Sequence, residues 1–164
     1  MNKKIVGFFF GFFIFPSSVL AVNPGEPAPA CLSTHFHNGQ VLDIASYKGK
    51  VVYMDFWASW CPSCKLSFPS INKLHNELKD RGFEVLAINL DEEKSDAEAF
   101  LKHTPVNFSI AYDGEGSCPD TYKVKAMPSS YIIDRQGLVR EVHLGFDEDK
   151  FKKIRTTIIA LLSE

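Results

Sequence analysis

The sequence predicts an α/β fold, a mixed central sheet flanked by helices and entered through an N-terminal β-hairpin. Three observations support it. Two near-continuous apolar runs, residues 51–56 and 83–90, have the length and β-branched content of buried strands, and a helical-period stretch separates them. Near the carboxyl end, residues 129–134 and 138–144 flank the turn Arg135-Gln136-Gly137 and read as a second pair of strands. Ahead of all of these, Asn38-Gly39 stands between two strand-like segments, the strongest short hairpin signal.

Composition sets the bounds. With 45% hydrophobic and 23% charged residues over 164 positions, the chain has enough apolar material for one globular domain with a real core. A net charge of −2, with Lys and Arg spread along the chain, excludes a nucleic-acid binder built on a basic patch. Residues 1–21 read as a signal peptide: Asn2-Lys3-Lys4 is a positive start, 5–15 an apolar core, and Val19-Leu20-Ala21 a cleavage site. That core is shorter than the ~20 residues a membrane-spanning helix needs, and extending it runs through Pro16 and two serines. A retained anchor is the alternative. Cys31 follows Ala28-Pro29-Ala30 and lies too far from the apolar core to be a lipid-attachment site. The expected organisation is a leader over 1–21, a lead-in over 22–30 and a domain over 31–164. Cleaved or anchored, the domain is expected outside the cytoplasm (periplasmic), where disulfides persist.

Taken in order, residues 23–30 are rich in Pro and Gly and form an extended lead-in. The hairpin pairs 32–37 with 40–44, a register that puts Cys31, His35 and His37 on one face. A solvent-facing strand with ordinary histidines, rather than a metal site, is the reading taken. The strand at 51–56 feeds a helix in which Phe68, Ile71, Leu74 and Leu78 recur at helical spacing, kinked by Pro69 and ended by Arg81-Gly82. After the strand at 83–90, Ser95-Asp96-Ala97-Glu98 reads as a capping box opening a helix through Phe100 and Leu101. Residues 106–112 form a strand ended by Asp113-Gly114, and 117–123 a short helix containing Cys118-Pro119. Beyond the C-terminal strand pair, Asp147 caps a last helix striped by Phe151, Ile154, Ile158 and Leu161.

The chemistry concentrates at Cys61-Pro62-Ser63-Cys64. Two cysteines two residues apart close a small disulfide ring, which a structural bridge rarely does. Zinc needs two more ligands at suitable spacing, and haem attachment needs His where Lys65 stands. Pro62 suits the first helical position, so Cys61 stands at the positive end of a helix, where free N–H groups lower a thiol's pKa. As a thiolate, Cys61 attacks a substrate disulfide, and Cys64, one turn later and further in, resolves the mixed disulfide. Asp55 stands among strand hydrophobics, where desolvation raises its pKa and keeps a proton near Cys64; a strand-end Asp reaching water is the alternative. Trp57 packs inward, while Trp60 and Pro62 border a substrate groove. Four cysteines in an exported chain permit a second bridge, Cys31–Cys118, with buried free thiols as the alternative.

Asp55-Phe56-Trp57-Ala58, then Trp60-Cys61-Pro62-Ser63-Cys64-Lys65 and Pro69, together resemble the thioredoxin active-site sequence. Lys48-Gly49-Lys50, Ile88-Asn89-Leu90-Asp91, and Met127-Pro128 before Tyr131-Ile132-Ile133-Asp134 extend the likeness to the exported TlpA/ResA-like branch. It covers essentially everything after residue 24. The resemblance implies a thioredoxin-like fold with Pro128 as a cis-proline against Cys61 and the Met127 backbone pairing with an extended substrate segment. It also implies that Asp55 assists proton transfer at Cys64, although Ala87 replaces the buried Lys that partners this Asp in thioredoxins. The partners implied are substrate proteins with disulfides or thiols and a membrane electron donor. A reducing direction, with a part in cytochrome c maturation, follows by the same analogy. No cofactor beyond the Cys61–Cys64 disulfide, no metal and a monomeric state are expected. A thiol oxidant or isomerase is the nearest alternative, and a metal-binding module using Cys61 and Cys64 a more distant one.

Overall fold

The computed structural model describes residues 22–164, so the leader predicted over 1–21 lies outside the described residues. Six strands form one mixed sheet in the order β1-β4-β3-β2-β5-β6. At its centre β2 (Val51–Trp57) and β3 (Phe83–Asn89) run parallel, in register from Val51↔Phe83 to Trp57↔Asn89, with α1 (Pro62–Leu78) between them. Every residue of β2 is buried. Helices or loops cover both sheet faces there, which is why the sequence shows an unbroken apolar run instead of alternation. After α2 (Lys94–His103), β4 (Ser109–Tyr112) adds parallel to β3. On the other side of β2, β5 (Ser129–Ile133) and β6 (Val139–Leu144) add antiparallel, then α4 (Glu148–Leu161) packs back, capped by Asp147 through the Lys150 N–H.

Strand alternation divides the core in two. Val51, Tyr53 and Trp57 join the α1, α2 and α4 side chains, among them Phe68, Ile71, Phe100, Phe151 and Ile158. Val52, Met54 and Phe56 face Cys31, Leu42, Ile44, Tyr122 and Tyr131. Asp55, in step with Tyr53 and Trp57, is on the helix-rich face. The opposite face is covered more thinly, by the lead-in, a 3-10 turn at Ile44–Tyr47 and the six residues of α3 (Ser117–Tyr122). The lead-in is tied down along β6, with the Gly25 N–H donating to the Val139 carbonyl at 2.7 Å and the Val139 N–H to the Glu26 carbonyl at 2.8 Å.

The N-terminal hairpin is smaller than predicted. Asn38-Gly39 makes its turn, with Gly39 at φ +81°, but residues 40–44 form no strand. His35 keeps a single bridge to Val41, and the two residues of β1 (His35–Phe36) pair with β4 instead. Asp43 accepts the Ala45 N–H at 3.0 Å and turns the second arm into the 3-10 turn. The capping box does not form either: α2 begins at Lys94, and the Asp96 N–H already bonds back to the Glu93 carbonyl at 3.0 Å, leaving Ser95 inside the first turn. The strand predicted over 106–112 is confined to Ser109–Tyr112. α1 continues through Pro69 to Leu78, and a 3-10 turn then ends at Gly82, whose φ of +88° suits glycine.

Candidate active site

Beyond β2 the chain makes a tight turn, the Cys61 N–H donating to the Ala58 carbonyl at 3.1 Å. Cys61 is the N-cap of α1, with Pro62 at the first helical position. Its Sγ accepts the Cys64 N–H at 3.2 Å, the contact a capping oxygen ordinarily makes. The two sulfurs are bonded, with Cα atoms 5.3 Å apart. Cys61 is 3% exposed and Cys64 fully buried, so a substrate arriving from solvent meets Cys61 first. With the disulfide open, a thiolate at Cys61 faces both the Cys64 N–H and the positive helix end, the surroundings that favour the anion.

Met127–Pro128 is a cis peptide bond, and Pro128 is buried. Ser63 joins that loop to the cysteines: its Oγ donates to the Met127 carbonyl at 3.5 Å and lies 3.6 Å from the Cys61 sulfur. Exposed apolar side chains flank Cys61 along the chain, Trp60 (66% exposed) before it and Pro62 after it, with Leu66 (68% exposed) further along α1. Trp57 is buried instead, its ring 4.7 Å from that of Phe68 and 5.2 Å from that of Phe100.

Asp55 is fully buried, and neither carboxyl oxygen has a hydrogen-bond partner. Its strand neighbours are Ala87 on β3 and Ser130 on β5, so no cation stands across from it. Burial therefore pushes its pKa well above the ordinary carboxylate value and favours the protonated acid. The same burial, together with the Asp55 carboxyl, pushes the Tyr53 phenol up.

Several residues of the site escaped the sequence reading. Asp91, buried just past β3, accepts the Ser59 N–H at 3.0 and 3.1 Å, the Ser59 hydroxyl at 3.1 Å and the Asn89 amide at 2.8 Å. Ser59 and Asp91 lie 32 positions apart, and only the β2/β3 register, ending at Trp57↔Asn89, brings them together. The available signal was a polar pair, Asn89 and Asp91, at the carboxyl end of a parallel strand, where sites gather in α/β folds. Cys31 and Cys118 are bonded to each other, Cα atoms 4.9 Å apart, on the thinly covered face and away from Cys61. Cys31, His35 and His37 do not converge: Cys31 is buried in its bridge, while His37 is exposed and reaches Glu98 at 3.4 Å. Among the described residues, no group of three or more His, Cys, Asp or Glu side chains is placed to hold a metal.

A family profile described as Redoxin matches residues 23–158. The chain belongs to the Redoxin family. Within it the chain is similar to the thiol-disulfide oxidoreductase ResA of Bacillus thuringiensis subsp. konkukian, 33% identical over 115 residues, which is 70% of this chain and 66% of that one. The ResA of Bacillus subtilis is 33% identical over 108 residues, covering 66% of this chain and 60% of its own. Among solved structures, a protein assigned as the thiol:disulfide interchange protein DsbE of Chlorobium tepidum superposes with a TM-score of 0.82 at 40% identity. That match covers 86% of this chain and 99% of the other. The fold is thioredoxin-like, and the chain is a TlpA/ResA-like member of the thioredoxin superfamily. With a Cys-x-x-Cys disulfide at the helix mouth, this Redoxin-family chain is a thiol–disulfide oxidoreductase.

Proposed function

We propose that the chain acts outside the cytoplasm as a reductant of protein disulfides, with Cys61 as attacking sulfur and Cys64 as resolving sulfur. The observation that carries this reading is the placement of the two sulfurs: Cys61 caps α1 and takes the Cys64 N–H, while Cys64 is sealed beneath it. In the forward direction the Cys61 thiolate attacks one sulfur of the substrate disulfide. The other substrate sulfur leaves as a thiolate, and a mixed disulfide forms. Cys64, losing its proton, then attacks Cys61, and the substrate leaves with both thiols reduced. Asp55 is the group proposed to assist proton transfer at Cys64: held as the neutral acid, it gives up its own proton before taking that of Cys64, and in the reverse direction it returns a proton to the released Cys64 thiolate. The apolar rim of Trp60 and Pro62, with the Met127 backbone beside Pro128, is the proposed seat for an extended substrate segment. Export rests on the predicted leader; the reducing direction, a role in cytochrome c maturation and a membrane electron donor rest on analogy with the TlpA/ResA-like branch that the sequence resembles.

The test is turnover and trapping. Cys61→Ser is expected to abolish insulin reduction, and Cys64→Ser to retain substrate as a mixed disulfide at Cys61. Alkylation of the reduced protein that labels Cys64 before Cys61 would reverse the two roles. Stoichiometric zinc on the reduced protein, without insulin reduction, would favour the metal-binding reading.

A further inference from the structure

The structure assigns Asp91, held by Asn89, as the positioning residue of the Cys61 turn, with the Cys31–Cys118 bridge as its anchor on the far side. The inference deepens the redox reading above and takes its functional meaning from it. Asp91 is 4% exposed, and four contacts from three donor groups converge on its carboxylate. A buried carboxylate is expensive unless hydrogen-bonded, and one satisfied by several donors becomes a rigid fixture. Here the fixture grips Ser59, two residues before Cys61. The Asp91 N–H returns a bond to the Asn89 amide oxygen at 3.1 Å, which locks the carboxylate's own loop.

Beyond Asn89 the path continues. Its backbone carbonyl accepts the Asp113 N–H at 2.9 Å, and Asp113, itself buried, accepts the Cys118 N–H at 2.6 Å and the Ser117 hydroxyl at 3.4 Å. Cys118 is bonded to Cys31. Gly114 fits so closely under the Asp91 loop that a Cβ there would stand 3.2 Å from the Asp91 and Glu92 carbonyl oxygens. A contiguous run of bonds therefore links the second bridge to the turn carrying the attacking sulfur. Its consequence is at Cys61, whose sulfur meets the Cys64 N–H only while the turn holds its shape.

Two effects of Asp91 on a Cys61 thiolate have opposite signs, which makes the inference testable. Its negative charge disfavours a nearby thiolate, whereas its grip on Ser59 keeps the sulfur at the helix end, which favours one. Other titratable groups on the elements packed around the turn include Cys64 and Lys65 on α1, Tyr53 and Asp55 on β2, Asp113 past β4, and Asp96 and His103 of α2 across the groove from Ser59.

The experiment uses the Cys64→Ser protein, where Cys61 is a free thiol and the Cys31–Cys118 bridge stays closed without reductant. Iodoacetamide alkylation of Cys61 is followed against pH. Adding Asp91→Asn is expected to move the profile to higher pH and to slow alkylation about three- to tenfold on its acid side, as a shift of half to one pKa unit would. Ser59→Ala, which removes one contact, moves it the same way by less. Replacing both Cys31 and Cys118 by Ser shifts it in the same direction and adds little once Asp91 is Asn. A shift to lower pH makes Asp91 a bare charge. An unmoved profile with a lower melting temperature makes it merely structural. Full additivity with the bridge removes the bridge from the path, and each of these outcomes overturns the proposal. Alkylation needs no substrate protein, so a parent inactive in insulin reduction would sink the redox reading and leave this result standing.

Discussion

Asp55 is a carboxyl buried within β2 with neither oxygen hydrogen-bonded, in a fold that satisfies the acids just past its strands, Asp91 and Asp134. Such a group is tolerated as the neutral acid, and the proton-transfer role proposed for it at Cys64 is open to a direct test. Asp55→Asn keeps the shape and removes the proton. Resolution of the mixed disulfide is expected to slow on the order of 10²-fold, while its formation is little changed. Stopped-flow tryptophan fluorescence separates the two steps, and equal slowing of both would remove Asp55 from proton transfer. The same residue governs the pH dependence of stability. Its folded pKa lies above the ordinary 3.8, so between those two values the folded protein holds a proton that the unfolded chain has shed. Stability therefore falls as pH rises through that window. Asp55→Asn lacks this titration, so urea midpoints should favour the variant increasingly as pH rises above the ordinary 3.8 and converge with the parent below it. A parent that gains on the variant as pH rises would mean that Asp55 is ionised in the fold.

Among the elements, the β2–α1 unit was legible because its signals are local. The apolar run, Pro62 at the first helical turn and the Phe68, Ile71, Leu74 stripe all lie within one βα unit. The N-terminal arm was not, because its partner is remote. Asn38-Gly39 specifies a turn, but whether each arm becomes a strand depends on β4, more than 70 positions downstream, where His35 pairs with Tyr112. The Ser59–Asp91 contact was hidden for the same reason: each residue is an ordinary loop residue until the β2/β3 register is known. The thin face of the sheet is where the second bridge acts. It closes a separation of 87 residues and pins the lead-in to a helix of only six residues, aided by the Tyr122 hydroxyl bonding the Pro29 carbonyl at 2.8 Å. A loop of that length predicts a loss of about 4–5 kcal/mol when both Cys31 and Cys118 become Ser. Urea unfolding with Cys61–Cys64 kept oxidised measures it. A loss under ~1 kcal/mol would mean that the packing around Tyr122 holds this face unaided.

At the scale of the whole molecule, the fold and the direction of the chemistry meet in one thermodynamic cycle. Closing Cys61–Cys64 in the folded protein and closing it in the unfolded chain differ by the stability the disulfide adds to the fold. A reductant gives its electrons up readily, so its folded state favours the disulfide more than the unfolded chain does, and the oxidised protein is the more stable form. A strong oxidant behaves in reverse, because its folded state favours the reduced pair. Two features act against each other here. The helix end and the Cys64 N–H stabilise a reduced Cys61 thiolate, while the burial of Cys64 disfavours a second thiolate. Ala87 stands across from Asp55 in the β2/β3 register, so no Lys faces the carboxyl there. The reducing direction proposed above requires an oxidised form that unfolds at higher urea than the reduced form, in the Cys31→Ser/Cys118→Ser background so that only one bridge changes. Each 1.4 kcal/mol of difference corresponds to about 30 mV in the couple. Equilibration against glutathione gives the potential independently, and the two measurements must agree in sign. A reduced form that outlasts the oxidised one would make the chain an oxidant and reverse the direction proposed for it.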